Sequence, residues 1–158
     1  MAPTQFAGDL MNEIVGATPG STLAALRAQR PEILRHSQGS YDVLLTPADP
    51  GGLTLAERAL VARRVAELSG HAALTAHYQA LLAGRAEPPA DTRRDAILAH
   101  AELLATAPGG ATKAHLAALE AVGLSARDIV ALAQLVAFVA YQVRAAIGLS
   151  LLAQEKAA

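Results

Sequence analysis

Apolar residues recur along this chain three and four positions apart, and the runs they form are separated by short clusters of Gly, Pro, Ser and Thr. A 3.6-residue period broken by turn residues predicts amphipathic helices, and no stretch alternates with the two-residue period of a half-buried strand. Ser21–Arg30 places Leu23, Ala24 and Leu26 on one side. Pro31 then opens a second helix at the position where a missing N–H costs least, and that helix carries Ile33, Leu34 and Val43. The stretch Thr46-Pro-Ala-Asp-Pro-Gly-Gly52 is a surface loop joining helices. Residues 1–20 are expected to be loosely structured, and residues 1–158 to form a single domain.

Thr54-Leu-Ala-Glu57 has the spacing of a capping box, so a helix begins there and runs to about Leu68. Gly70 is placed to end it in a left-handed conformation, and the next helix runs from about His71 to about Ala83. Thr92 begins a further helix, in which Ile97, Leu98, Ala101, Leu104 and Ala105 recur at helical spacing before Pro108-Gly-Gly110 stops it. Thr112–Val122 is a shorter helix closed by Gly123. Ser125 and Asp128 cap the last one, whose apolar residues, from Ile129 and Leu132 to Ile147 and Leu151, occupy nearly every side of the wheel. A helix so apolar is expected at the centre of a bundle or at a subunit interface, which implies a homo-oligomer.

Composition narrows the chemistry. Alanine, leucine and valine dominate and aromatics are only 3%, a mixture that favours helix. Hydrophobic residues make up 53% of the 158, enough for a folded core. The 13 basic and 14 acidic residues give a net charge of -1 without a basic block, so nucleic-acid binding is not expected. Gln134, Gln142 and Arg144 interrupt the last helix, which therefore reads as a buried helix in preference to a membrane span. The opening MAPTQFAGDLMNEIVG contains Asp9 and Glu13 and does not read as a secretory signal, so a cytoplasmic location is expected. There is no cysteine, which excludes disulfides, thiolate metal sites and thiol redox catalysis within this chain.

The segments "LTLAERALVARRVAELSG", "AGRAEPPADTRRDAILAHAELLA" and "LEAVGLSARDIVALAQLVAFVAYQVRAAIGL", in this order, resemble the carboxymuconolactone decarboxylase and alkylhydroperoxidase D-like superfamily over roughly Pro31 to Leu152. The resemblance implies an all-α bundle of about six or seven helices and an oligomeric assembly. Its peroxidase branch carries a Glu-x11-Cys-x2-Cys-x3-His motif. Aligned on Gly70 without gaps, those four positions are Ala59, His71, Leu74 and Tyr78, and a slip of one residue would use His77. Leucine can neither attack a peroxide nor resolve a sulfenic acid, so thiol peroxidase activity does not transfer. The decarboxylase branch includes members that work without the cysteine pair. In the last helix Tyr141 and Arg144 match the family's aromatic-and-arginine pattern, whereas asparagines often found there correspond to Ala140 and Val143.

His71 falls at a helix N-terminus, where the dipole disfavours imidazolium and leaves a neutral base, or where the ring simply bonds a free backbone group. Tyr78, seven residues on, shares nearly the same helical face and is a second catalytic candidate, with a core tyrosine as the alternative. His77 points about a hundred degrees away and reads as a surface or interface residue. Tyr141 and Arg144 are the substrate-binding candidates, because a charge on so apolar a helix needs a carboxylate or an anionic ligand. Glu57 is accounted for by its cap, Arg93-Arg-Asp95 reads as a solvated first turn, and His36, Tyr41, His100 and His115 are scattered on separate elements. His71-x5-His77 lacks the spacing for shared zinc ligation, and neither metal nor cofactor is expected.

Two functions fit these residues. One is a non-thiol enzyme, decarboxylase- or isomerase-like, that moves a proton on a small organic substrate, anions included. The other is a catalytically inactive oligomeric scaffold, alone or beside a cysteine-bearing relative.

Overall fold

A computed structural model describes residues 9–155, and all the regular structure among them is helical. The helices are α1 (Leu10–Ile14), α2 (Thr22–Ala28), α3 (Pro31–Leu45), α4 (Leu55–Leu68), α5 (Ala72–Ala83), α6 (Thr92–Thr106), α7 (Lys113–Ala121) and α8 (Ala126–Glu155), with a 3-10 turn at Pro108–Gly110. The chain is an all-α bundle. The local signals act where the sequence places them: Pro31 starts α3, and Thr54 and Glu57 exchange the two capping-box bonds at 2.8 and 3.2 Å. Gly70 takes φ +69° at the junction of α4 and α5, a conformation that carries little steric cost without a Cβ.

The centre of the bundle is α4. Its residues Glu57 to Ala62, Val65 and Ala66 are buried, with α5, α6 and α8 packed around it. Ala59, Ala62 and Ala66 are fully enclosed, and their small side chains let the neighbouring helices approach closely. Of the two places the sequence allows α8, the centre of the bundle or a subunit interface, the first is taken by α4, and α8 buries one side only within the chain. Leu132, Leu135, Val139 and Ala146 are completely enclosed, whereas Val130, Tyr141, Ile147 and Leu151 are exposed. By length and composition α8 could cross a membrane, yet its buried side packs on α3, α4 and α6.

Residues 1–8 lie outside the described residues, but residues 9–20 are not the loose segment that local pattern suggests. The Asp9 carboxylate caps α1 by accepting from Asn12 N at 2.9 Å and receives Arg27 of α2 at 3.1 and 3.3 Å. Arg27 also donates to Asn12 Oδ1, and Leu10 and Met11 are buried. A five-residue helix has little stability of its own. The ion pair and the buried side chains, which come from distant residues, hold it.

One end of the bundle is tied by a second polar network. The Asp128 carboxylate accepts from Gly52 N (2.8 Å), Ser125 N (2.9 Å) and Ser125 Oγ (2.6 Å). A Cβ at Gly52 would come within 2.6 Å of Asp128 Oδ2, so only glycine permits this approach. Arg58 donates to the carbonyls of Leu44, Pro50 and Leu53 at 2.8 to 2.9 Å. Arg93 joins Glu57 at 2.7 Å and donates to the Val122 and Gly52 carbonyls at 2.8 and 2.6 Å. Arg93 is thus a staple between α4, α6 and the turn before α8, not part of a solvated first turn.

Burial by itself would raise the Asp128 pKa, but the bonds from Ser125 and from the Gly52 and Leu53 backbone prevail and hold it below the usual carboxylate value. Its folded pKa is depressed, so its contribution is complete above the unfolded value near ~4 and is lost as pH falls through the folded one. Asp128→Ala is expected to lower stability by about 2 kcal/mol at pH 7, since it leaves several donors without their charged acceptor. Urea denaturation at pH 7 and at pH 3 checks this: the gap between wild type and variant narrows in acid, and an equal gap at both pH values contradicts the assignment.

Candidate functional site

The junction of α4 and α5 is built by local bonds. Gly70 N returns to Glu67 O at 2.9 Å and His71 N to Ala66 O at 3.2 Å, which closes α4 and turns the chain. His71 then takes an extended conformation as the N-cap of α5, and its Nδ1 accepts from Leu74 N at 3.3 Å. Leu74 is completely buried. Of the two positions aligned with the family's cysteines, one holds a capping imidazole and the other a core leucine.

Tyr78 is also completely buried, and its hydroxyl donates to Gln142 of α8, itself buried. Burial pushes the phenol far above its ordinary pKa. No hydrogen bond joins Tyr78 to His71. The ring that Tyr78 meets edge-on is that of His77, with centroids 5.1 Å apart. His77 is not a surface residue: it is half-buried, and its Nε2 lies 2.9 Å from the hydroxyl of Tyr41 on α3. Burial lowers the His77 pKa below 6.5, with the Glu13 carboxylate opposing that shift. Burial raises the Tyr41 pKa, partly offset by Arg85 and reinforced by Asp42. Near neutral pH the pair is therefore an imidazole beside a phenol, with an acidic group in range of the imidazole.

Tyr41 was one of the scattered residues in the sequence, because 36 positions separate it from His77 and no local spacing joins them. Only the fold does so, by packing α3 and α5 each against α4.

Tyr141 and Arg144 lie elsewhere. Both are exposed on α8 and line a cavity of about 460 Å3 between α2, α3 and the C-terminal half of α8. Arg27 and Arg30 line it too, with an apolar wall that includes Met11, Leu34 and Leu149. The four residues singled out from sequence thus occupy three places: a helix cap, the core, and the wall of this groove.

Two further groups bear on chemistry. Glu57 is buried and engaged both in its cap and with Arg93, so both carboxylate oxygens are occupied. His100 is buried, its Nδ1 has no hydrogen-bond partner among the described residues, and burial lowers its pKa, with nearby His115 lowering it further. Among the described residues no three His, Asp or Glu side chains converge as a metal site would require.

The fold has a counterpart among solved structures. An uncharacterized peroxidase-related protein from Silicibacter sp. TM1040 superposes with a TM-score of 0.63 at 22% sequence identity, over 94% of this chain and 85% of that one. At that identity the likeness shows a shared helical architecture and not a shared activity. No protein-family model and no curated protein matches the chain.

Both His77 and His100 have folded pKa values depressed below the unfolded value of about 6.5. The unfolded chain therefore binds more protons in that range, and stability is expected to decline as pH falls from about 6.5 towards 5. Urea midpoints of the wild type should follow this slope, and the His77→Gln/His100→Gln double variant should show a flatter one. Equal slopes would remove the histidines as the cause.

Proposed function

We propose that this chain is a non-thiol enzyme that relays a proton to and from a small organic substrate through Tyr41 and His77. The observation that carries this reading is the 2.9 Å contact between the Tyr41 hydroxyl and His77 Nε2, both residues half-buried, in contrast to the enclosed Tyr78 and the cap-bound His71. With its depressed pKa, His77 is a neutral imidazole at pH 7 and can accept a proton at Nε2. The raised pKa of Tyr41 disfavours a free phenolate, so the phenol passes its own proton to His77 as it takes one from substrate.

For a carbon acid the step balances without a co-reactant. The C–H bond adjacent to a carbonyl breaks, and its electron pair moves into the carbonyl as an enolate. The proton goes to Tyr41 Oη while the Tyr41 proton goes to His77 Nε2. Return of a proton at a second carbon completes an isomerisation. The Glu13 carboxylate, which favours the charged form of His77, stabilises the transient imidazolium.

Solvent-deuterium incorporation into a panel of unsaturated lactones and β-keto acids, followed by proton NMR, tests the relay. Wild type should exchange at least one member. Tyr41→Phe and His77→Gln should each lose about a hundredfold or more of that rate, the usual scale of acid–base catalysis. The rate should be flat above pH 6.5 and fall below the His77 pKa, and His71→Ala should retain it. Exchange that is absent across the panel, or unchanged in His77→Gln, eliminates the relay.

The second reading, an inactive oligomeric scaffold that works alone or beside a cysteine-bearing relative, is supported by the outward face of α8. Val130, Gln134, Ala137, Tyr141, Arg144, Gly148 and Leu151 are all exposed and recur alternately four and three residues apart, the stripe of a helix that packs lengthwise against a partner. A homo-oligomer through this face would be split by Ala137→Glu, with the helical circular dichroism retained. Light scattering across a concentration series measures it, and a monomeric wild type would rule out that assembly.

A further inference from the structure

We propose that the groove between α2, α3 and the C-terminal half of α8 is a binding site for a carboxylate carried on an unbranched apolar chain of about ten carbons. It is separate from the Tyr41–His77 pair and does not depend on that relay.

The cavity of about 460 Å3 falls within the range of small-molecule pockets, roughly 300 to 1,000 Å3. Its wall is apolar at two depths. Met11 and Leu34 are buried at the bottom, while Leu26, Ile33 and Leu152 stand 36 to 50% exposed at the rim. Large apolar side chains held in contact with water around a concavity lose that contact when an apolar chain lies between them, at about 25 cal/mol per Å2 covered.

The charge on the groove is of one sign. Arg27, Arg30 and Arg144 line it, and among the described residues no Asp or Glu does. Arg27 is held by Asp9 at 3.1 Å, which neutralises that charge and fixes the guanidinium in the wall. Arg30 and Arg144 are exposed and have no ion-pair partner among the described residues. Two unengaged guanidinium groups beside an apolar trough suit an anionic head with an apolar tail, and a carboxylate matches a guanidinium with two parallel bonds. The Tyr141 hydroxyl and Ser37 border the same space and offer further donors.

Gly148 provides a way to close the groove without disturbing the fold. It lies within α8 on the cavity wall, and a Cβ there meets no atom within 4 Å. Replacement of a helical glycine by leucine also favours the helix.

Isothermal titration of the full chain with sodium decanoate, below its micellar concentration, should show saturable binding of one equivalent. Arg30→Gln/Arg144→Gln should weaken it about tenfold, and n-decanol should bind about tenfold more weakly than decanoate, with added salt narrowing that difference. Gly148→Leu should abolish binding while the thermal midpoint is kept or raised. Equal affinity for decanoate and decanol would show a greasy groove without an anion site. Absence of binding because a second copy covers the groove, or binding to anionic lipid vesicles but not to soluble decanoate, would equally overturn the proposal.

Discussion

The enclosure of α4 on three sides is the constraint from which the rest of this structure follows. A helix that buries Ala59, Ala62, Val65 and Ala66 and also the charged Glu57 and Arg58 leaves little of its surface for chemistry. Its ionic groups must be satisfied where they stand, because an unpaired charge at such a position would cost several kcal/mol. Glu57 therefore takes Arg93, and Arg58 takes three backbone carbonyls. These bonds fix the 50–54 loop against α4 and join α4 to α3 and α6, so the charged groups of the most buried helix act as mortar between its neighbours. The residues of the proposed sites therefore lie on α3, α5 and α8, on the flanks.

That division explains what could be read in the sequence. The α4–α5 junction, the capping box at Thr54 and Glu57, the proline start of α3 and the Ser125–Asp128 cap are set within three or four residues, by backbone conformation and by side chains that reach their own helix ends. Local spacing is enough to find them. Arg93 meets Glu57, and Tyr41 meets His77, across 36 residues, while Asp9 meets Arg27 across 18. Nothing in the pattern of the intervening helices announces these partners. The short α1 was missed for the same reason: it exists because Asp9, Asn12 and Arg27 come together, and intrinsic propensity contributes little. For the last helix the sequence leaves two places open, the centre of the bundle or a subunit interface, because composition reports how apolar a helix is, not which of its faces the same chain covers.

His71 shows where a family resemblance helps and where it misleads. The position aligned with a nucleophilic cysteine is reactive in such a motif because a helix N-terminus stabilises a thiolate. An imidazole at the same place finds an unpaired backbone N–H within reach, and here its Nδ1 accepts from Leu74 N. The feature that would activate sulfur therefore occupies nitrogen, and the histidine becomes a cap. One residue from the aligned histidine, His77 has no such local partner. Its ring turns towards Tyr41 and stays half-buried, where burial tunes it without closing it off.

In the proposed reading, the Tyr41–His77 pair and the arginine-lined groove meet opposite electrostatic demands. Proton transfer needs groups whose charge is withheld until the reaction demands it, and Tyr41 and His77 meet that need because burial disfavours both phenolate and imidazolium. Anion binding needs charge that is present at all times, and Arg30 and Arg144 would supply it at an exposed rim where guanidinium remains solvated. Had the arginines been placed beside His77, their field would have pushed its pKa still lower and opposed the imidazolium that a proton relay must form. Glu13, an acid, lies within range of that histidine, and Arg30 and Arg144 lie on the wall of the groove, an arrangement that suits the proposed relay and the proposed anion site alike.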